Sequence, residues 1–182
     1  MSNRPFAALL AATLGLAVPA PPTLATDAPP TTHCSAPVYR EFDFWLGDWD
    51  TYRVDPTGKV PTNAPSVARN QVTAILGGCV LHEVYRRTDG YTGESFTIYD
   101  ATRHVWHQSW VTNEGELLVA EGGRHGKSIV LTGSSRDAQG VQLQRVSWTP
   151  QGDGVRETAT QSRDDGKHWT PLFDILFRPH PH

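Results

Sequence analysis

The sequence predicts an all-β domain, an up-and-down antiparallel barrel of about ten strands with a short N-terminal helix closing one end. Three observations carry that prediction. Beyond Asp50, short runs rich in Val, Thr and aromatic residues are broken by Asn, Asp and Gly turn signals such as Asp89-Gly90, Gly152-Asp-Gly154 and Asp165-Gly166. Breaks this short leave no room for a parallel crossover, so each strand pairs antiparallel with its sequence neighbour. An open sheet of that many strands would expose two long edges, and closure removes both. The strands are expected at 48–54, 67–76, 79–88, 93–99, 105–112, 116–122, 128–134, 141–149, 154–162 and 168–178.

The chain opens with a segment outside the barrel. Met1 to Arg4 carries one positive charge, Phe6 to Ala20 is apolar, and Thr23-Leu-Ala25 offers small residues at the −3 and −1 positions of a cleavage site. Residues 1–25 therefore read as a secretory signal. The apolar run is too short to span a membrane and is followed by Pro19, Pro21 and Pro22, so no integral membrane segment is expected after cleavage. Residues 26–36 are rich in Pro and Thr and read as a flexible leader before the domain at 37–182.

The domain begins at Glu41-Phe-Asp-Phe-Trp-Leu-Gly-Asp-Trp-Asp50. Phe42, Trp45 and Leu46 share one face of a helical turn, which Gly47 is expected to end through positive φ. Trp49, Thr51 and Arg53 then alternate with polar neighbours as the first strand. Between the first two strands, Pro56 to Ser66 holds three prolines and is expected as a flap beside the barrel mouth.

Two cysteines, Cys34 and Cys79, are most simply a disulfide in an oxidising compartment, tying the segment before the first helix to the third strand. Sixteen Lys and Arg face 19 Asp and Glu, a formal net charge of −3. That weakly acidic balance argues against nucleic acid or an anionic membrane surface as partner.

Several stretches together resemble an uncharacterised family of exported bacterial lipocalin-like (calycin-like) barrels. They are Phe42-Asp-Phe-Trp-Leu-Gly-Asp-Trp49, Gly78-Cys-Val-Leu-His-Glu83, Gly93-Glu-Ser-Phe96 with Tyr99-Asp100, Trp106-His-Gln-Ser-Trp110, Trp148-Thr-Pro150 and Ser162-Arg-Asp-Asp-Gly-Lys-His-Trp169. The resemblance implies the barrel and export, with the tryptophan of the Gly-x-Trp motif sealing the floor, and carries no activity. In lipocalins a final-strand arginine stacks on that tryptophan; Arg178 is the candidate here.

Candidate binding residues follow from period two. Trp106, Gln108 and Trp110 share a face, as do Leu81, Glu83, Tyr85 and Arg87, while Gln144, Val146 and Trp148 face opposite to Val141, Leu143 and Arg145. Trp49, Glu83, Tyr85, Trp106, Gln108, Trp110, Arg145 and Trp148 are the expected ligand-binding set. Indoles with a few convergent polar groups suit a small apolar or amphipathic molecule. Glu83 is the one acid considered for acid–base chemistry, which makes a small-barrel enzyme the alternative. In the third reading the indoles fill the barrel and Glu83 pairs with Arg145 or Arg156, giving a packed structural or interaction domain.

The eight histidines show no metal-ligand spacing, and no cofactor, nucleophile elbow or phosphate loop is indicated. Ser162-x-Asp-x-Gly-x-x-Trp169 matches an Asp-box, but one copy reads as a hairpin turn rather than glycosidase chemistry.

Overall fold

A computed structural model describes residues 33–181. The expected signal at 1–25 and most of the leader lie outside these residues. The architecture is a closed barrel of ten antiparallel strands, each paired with its sequence neighbours and with β1 meeting β10. The strands are β1 Gly47–Arg53, β2 Ala68–Ile75, β3 Val80–Arg87, β4 Thr92–Asp100, β5 Val105–Thr112, β6 Leu117–His125, β7 Ser128–Asp137, β8 Gly140–Gln151, β9 Gly154–Ser162 and β10 Thr170–Pro179. Odd strands run from floor to mouth and even strands return. The closing seam pairs Trp49 with Pro179 and Thr51 with Phe177. Among the described residues, no helix is long and apolar enough to cross a membrane.

The N-terminal plug differs from expectation. Two single 3₁₀ turns, Pro37–Arg40 and Asp43–Trp45, stand where a short helix was expected. So few residues between Pro37 and Gly47 cannot repay the nucleation of an α-helix. In a 3₁₀ turn, positions i and i+3 eclipse, so Phe42 and Trp45 stack with centroids 5.1 Å apart. Both are fully buried. Phe42 also meets Trp106 and Trp148 edge-on at 5.7 and 5.2 Å, and Trp45 meets Trp148 at 5.3 Å. These rings are the barrel floor.

Gly47 has a different role from ending a helix. The Trp49 indole lies across its Cα, where a Cβ would come within 2.6 Å of the ring. Trp49 Nε1 donates to the Trp45 carbonyl at 3.0 Å, locking the plug to β1. Cys34 and Cys79 form the expected disulfide, with Cα atoms 5.1 Å apart. It fixes the front of the plug beside the start of β3.

The turn at 162–170 is the hairpin that the single Asp-box suggests. Asp164 accepts from the His168 amide at 2.9 Å, and Trp169 Nε1 donates to the Gly166 carbonyl at 2.9 Å. The loop between β1 and β2 begins with an Asp55 carboxylate that accepts from the amides of Thr57 and Lys59. A Cβ at Gly58 would lie 3.8 Å from the Arg156 guanidinium, which places this part of the loop against the outer wall.

Candidate functional site: the barrel interior

Strand alternation sorts the inner wall into three levels. At the floor, Trp49, Trp106 and Trp148 are buried against the plug. Toward the mouth, Tyr85 meets Trp110 at 6.1 Å, and the Trp110 indole lies over Gly93. Between these apolar levels runs a polar belt of Thr51, Asn70, Glu83, Ser95, Thr97, Gln108 and Glu157, all buried. The opposite wall, on β6 and β7, carries Ala120, Gly122 and Gly133 toward its middle, with Gly133 paired to Ala120, and the fully buried Ile129 and Leu131 below, Leu131 paired to Gly122. At Gly122 and Gly133 a Cβ would fall within 2.2 Å of a neighbouring strand's carbonyl oxygen, so these positions admit no side chain.

Half of the belt is a connected network. Ser95 Oγ donates to Glu83 Oε2 at 2.8 Å. Gln108 Nε2 donates to Ser95 Oγ at 3.3 Å and to Thr97 Oγ1 at 3.1 Å. Other polar atoms of the belt and of the floor beneath it are unpaired. Thr51 Oγ1, both amide atoms of Asn70 and Trp148 Nε1 are buried without a hydrogen-bond partner. Asn70 is close enough to Glu83 to favour its charged form, and Trp148 does the same for Glu157, but neither contact reaches hydrogen-bond geometry.

Glu83 and Glu157 are both enclosed, and among the described residues no cation forms an ion pair with either. Burial pushes the Glu83 carboxyl up to about 7, opposed by the Ser95 hydrogen bond. Burial also raises Glu157 well above the ordinary carboxylate range, reinforced by repulsion from Glu83. Tyr85 is raised by burial and by the two acids, while Arg87 and Arg53 toward the mouth act in the opposite direction. Chemically, the pair can hold a proton near neutrality, receive a cation, or accept hydrogen bonds.

Of the expected binding residues, Trp49, Glu83, Tyr85, Trp106, Gln108, Trp110 and Trp148 face inward. Arg145 does not: it lies on the outer wall, its guanidinium 4.0 Å over the Trp169 ring. It shares the outward parity of Val141 and Leu143, and its charge is far better solvated there. Arg156 is also external, bonded to Asp174 at 2.9 Å, so neither arginine neutralises Glu83. Arg178 stacks over Tyr52 at 4.9 Å instead of Trp49, because its register opposite Asp50 points it outward.

Glu157, Asn70 and Thr51 are belt residues that the sequence reading did not single out. A signal for Glu157 was available, since it alternates in phase with Val155 and Ala159 and out of phase with Arg156.

On the outer wall, His107 Nδ1 lies 2.8 Å from Glu121 Oε1 and its Nε2 lies 3.1 Å from Ser109 Oγ. This has the order of an acyl-transfer triad. Yet Ser109 sits inside a strand paired on both sides, to Phe96 and Val119, so its backbone N–H is held in the sheet ladder. No oxyanion hole forms around it from that strand. Among the described residues, no group of three or more His, Cys, Asp or Glu is placed to hold a metal ion.

No known family model matches the chain, and no curated protein matches it.

Proposed function

We propose that the protein is an exported lipocalin-like carrier that binds a small apolar or amphipathic molecule inside the barrel. One observation carries the reading: polar atoms of Thr51, Asn70 and Trp148 are buried on the inner wall without protein partners. Native interiors rarely leave such groups unsatisfied, since each orphan costs roughly 1–3 kcal/mol. A ligand or the water it displaces would satisfy them. The aromatic floor below and the mixed apolar wall opposite, of Ala120, Ile129 and Leu131 with two glycines, suit an apolar body. The Cys34–Cys79 disulfide supports an oxidising, exported location, periplasmic or secreted.

The test is native mass spectrometry of protein purified from its own host, followed by release of any bound molecule. A one-to-one adduct of a small molecule is expected. Clean apoprotein that also fails to take up an apolar dye would sink the proposal.

A second reading, a small-barrel enzyme with Glu83 as acid–base group, is favoured by the position of that carboxyl near 7 beside a second acid. A hydrolytic or isomerising activity abolished by Glu83→Gln, with ligand uptake retained, would establish it. An activity that Glu83→Gln leaves intact would remove it.

A further inference from the structure

The carrier reading above leaves open what head group the interior selects, and the following inference rests on that reading. Two carboxyls on the inner wall, Glu83 of β3 and Glu157 of β9, are enclosed by neutral groups. Their inward neighbours in the belt are Thr51, Asn70, Ser95, Thr97 and Gln108, none of them cationic. The two arginines considered as partners for Glu83 are engaged outside, Arg145 over Trp169 and Arg156 with Asp174. Buried acids without a cation or a full set of donors weaken a fold, because each disfavours ionisation of the other and both lose hydration. Nothing in the barrel architecture requires them, since Gln at either site would fill the same space without charge.

The unpaired acceptors match a particular donor. Glu83 Oε2 is held by Ser95, and the inward-facing acceptors Asn70 Oδ1 and Thr51 Oγ1 are unpaired, as are two donors, Asn70 Nδ2 beside Glu83 and Trp148 Nε1 beside Glu157. Asn70 and Thr51 lie on β2 and β1, on the wall between the strands that carry the two acids. Asn70 stands beside Glu83 and is wholly enclosed.

We infer that the belt receives a protonated amine: a ligand with an apolar body whose single ammonium head sits between the Glu83 and Glu157 carboxyls. An ammonium brings one positive charge and three N–H donors to a cluster of acceptors. An alcohol brings one donor and no charge. A carboxylate adds a third negative group and is excluded. The other titratable or charged groups facing the pair are Tyr85 on β3, with Arg87 and Arg53 toward the mouth. Near neutrality the pair retains a proton, so seating the cation releases one to solvent. Amine binding therefore strengthens as pH rises until the free amine itself deprotonates.

The experiment titrates n-octylamine, 1-octanol and octanoate into the full protein at pH 7.5, read by tryptophan fluorescence and calorimetry in two buffers of different ionisation enthalpy. The expected result is one octylamine per chain, bound at least about tenfold tighter than 1-octanol, with proton release and no octanoate uptake. Glu83→Gln and Glu157→Gln should each weaken octylamine at least about tenfold and leave 1-octanol within about threefold. Wild-type octylamine affinity should rise between pH 5.5 and 8, a readout that needs no variant. Equal affinity for amine and alcohol, or equal losses for both ligands in the variants, overturns the amine head group while the carrier reading stands. Absence of binding by all three compounds overturns the carrier reading itself.

Discussion

Burial holds the Glu83 carboxyl protonated into the neutral range, with its midpoint near 7 against an ordinary value of 4.5. Between these values the folded chain keeps a proton that the unfolded chain has released. Stability therefore falls as pH rises through that window and is greatest below it. Urea unfolding at pH 5, 6.5 and 8 should show this decline in wild-type protein. Glu83→Gln should match wild type near pH 5 and exceed it at pH 8 by roughly 1–3 kcal/mol. A variant less stable than wild type at pH 8 would mean that the acid is satisfied as an anion. Gly47 carries a second consequence at this scale, because the Trp49 ring occupies the space of any side chain there. Gly47→Ala should cost roughly 1–3 kcal/mol in the same assay and shift the near-ultraviolet signal of the indoles.

The plug is the element that turns an open tube into a cup. Phe42 and Trp45 contribute the inner face, Trp49 ties it to β1, and Arg40 bonds the Gly78 carbonyl beside the disulfide. Removing the cross-link by Cys34→Ser with Cys79→Ser should lower stability by about 2–4 kcal/mol while leaving the far-ultraviolet sheet signal intact. Trp45→Ala should cost about 3–5 kcal/mol, because no neighbouring side chain can collapse into so large a space. Strand positions were legible in the sequence to within a few residues, since turn residues and period two are local signals. The plug's 3₁₀ geometry was not: the i, i+3 spacing of Phe42 and Trp45 fits either helix type, and chain length decides between them. The faces of β3, β5 and β8 were readable, including the outward side on which Arg145 lies. That side already argues against Arg145, which the sequence reading nevertheless counts among the binding residues, while the pairing of Glu83 with Glu157 depends on how four intervening strand steps curve, which no local pattern encodes.

At the scale of the whole barrel, nine of the ten strand junctions in the closed order join sequence neighbours, and β1 with β10 is the exception. Tyr52 is paired with Leu176 across this junction, while the register of β1 with β2 runs only from Gly47 to Thr51. Tyr52→Pro therefore removes an N–H from the seam and spares the hairpin to β2. Size-exclusion chromatography with light scattering should find this variant as higher oligomers, with its sheet content largely kept. A monomeric, unfolded chain would show instead that seam and barrel melt as one. Every other junction is stapled by a turn and can reclose after a thermal breach. The seam has no such tether, so its failure unrolls the wall into a ribbon with two bare margins. Each margin then offers a template to the next molecule, and the hazard for this chain is polymerisation by edge-to-edge joining rather than simple loss of shape.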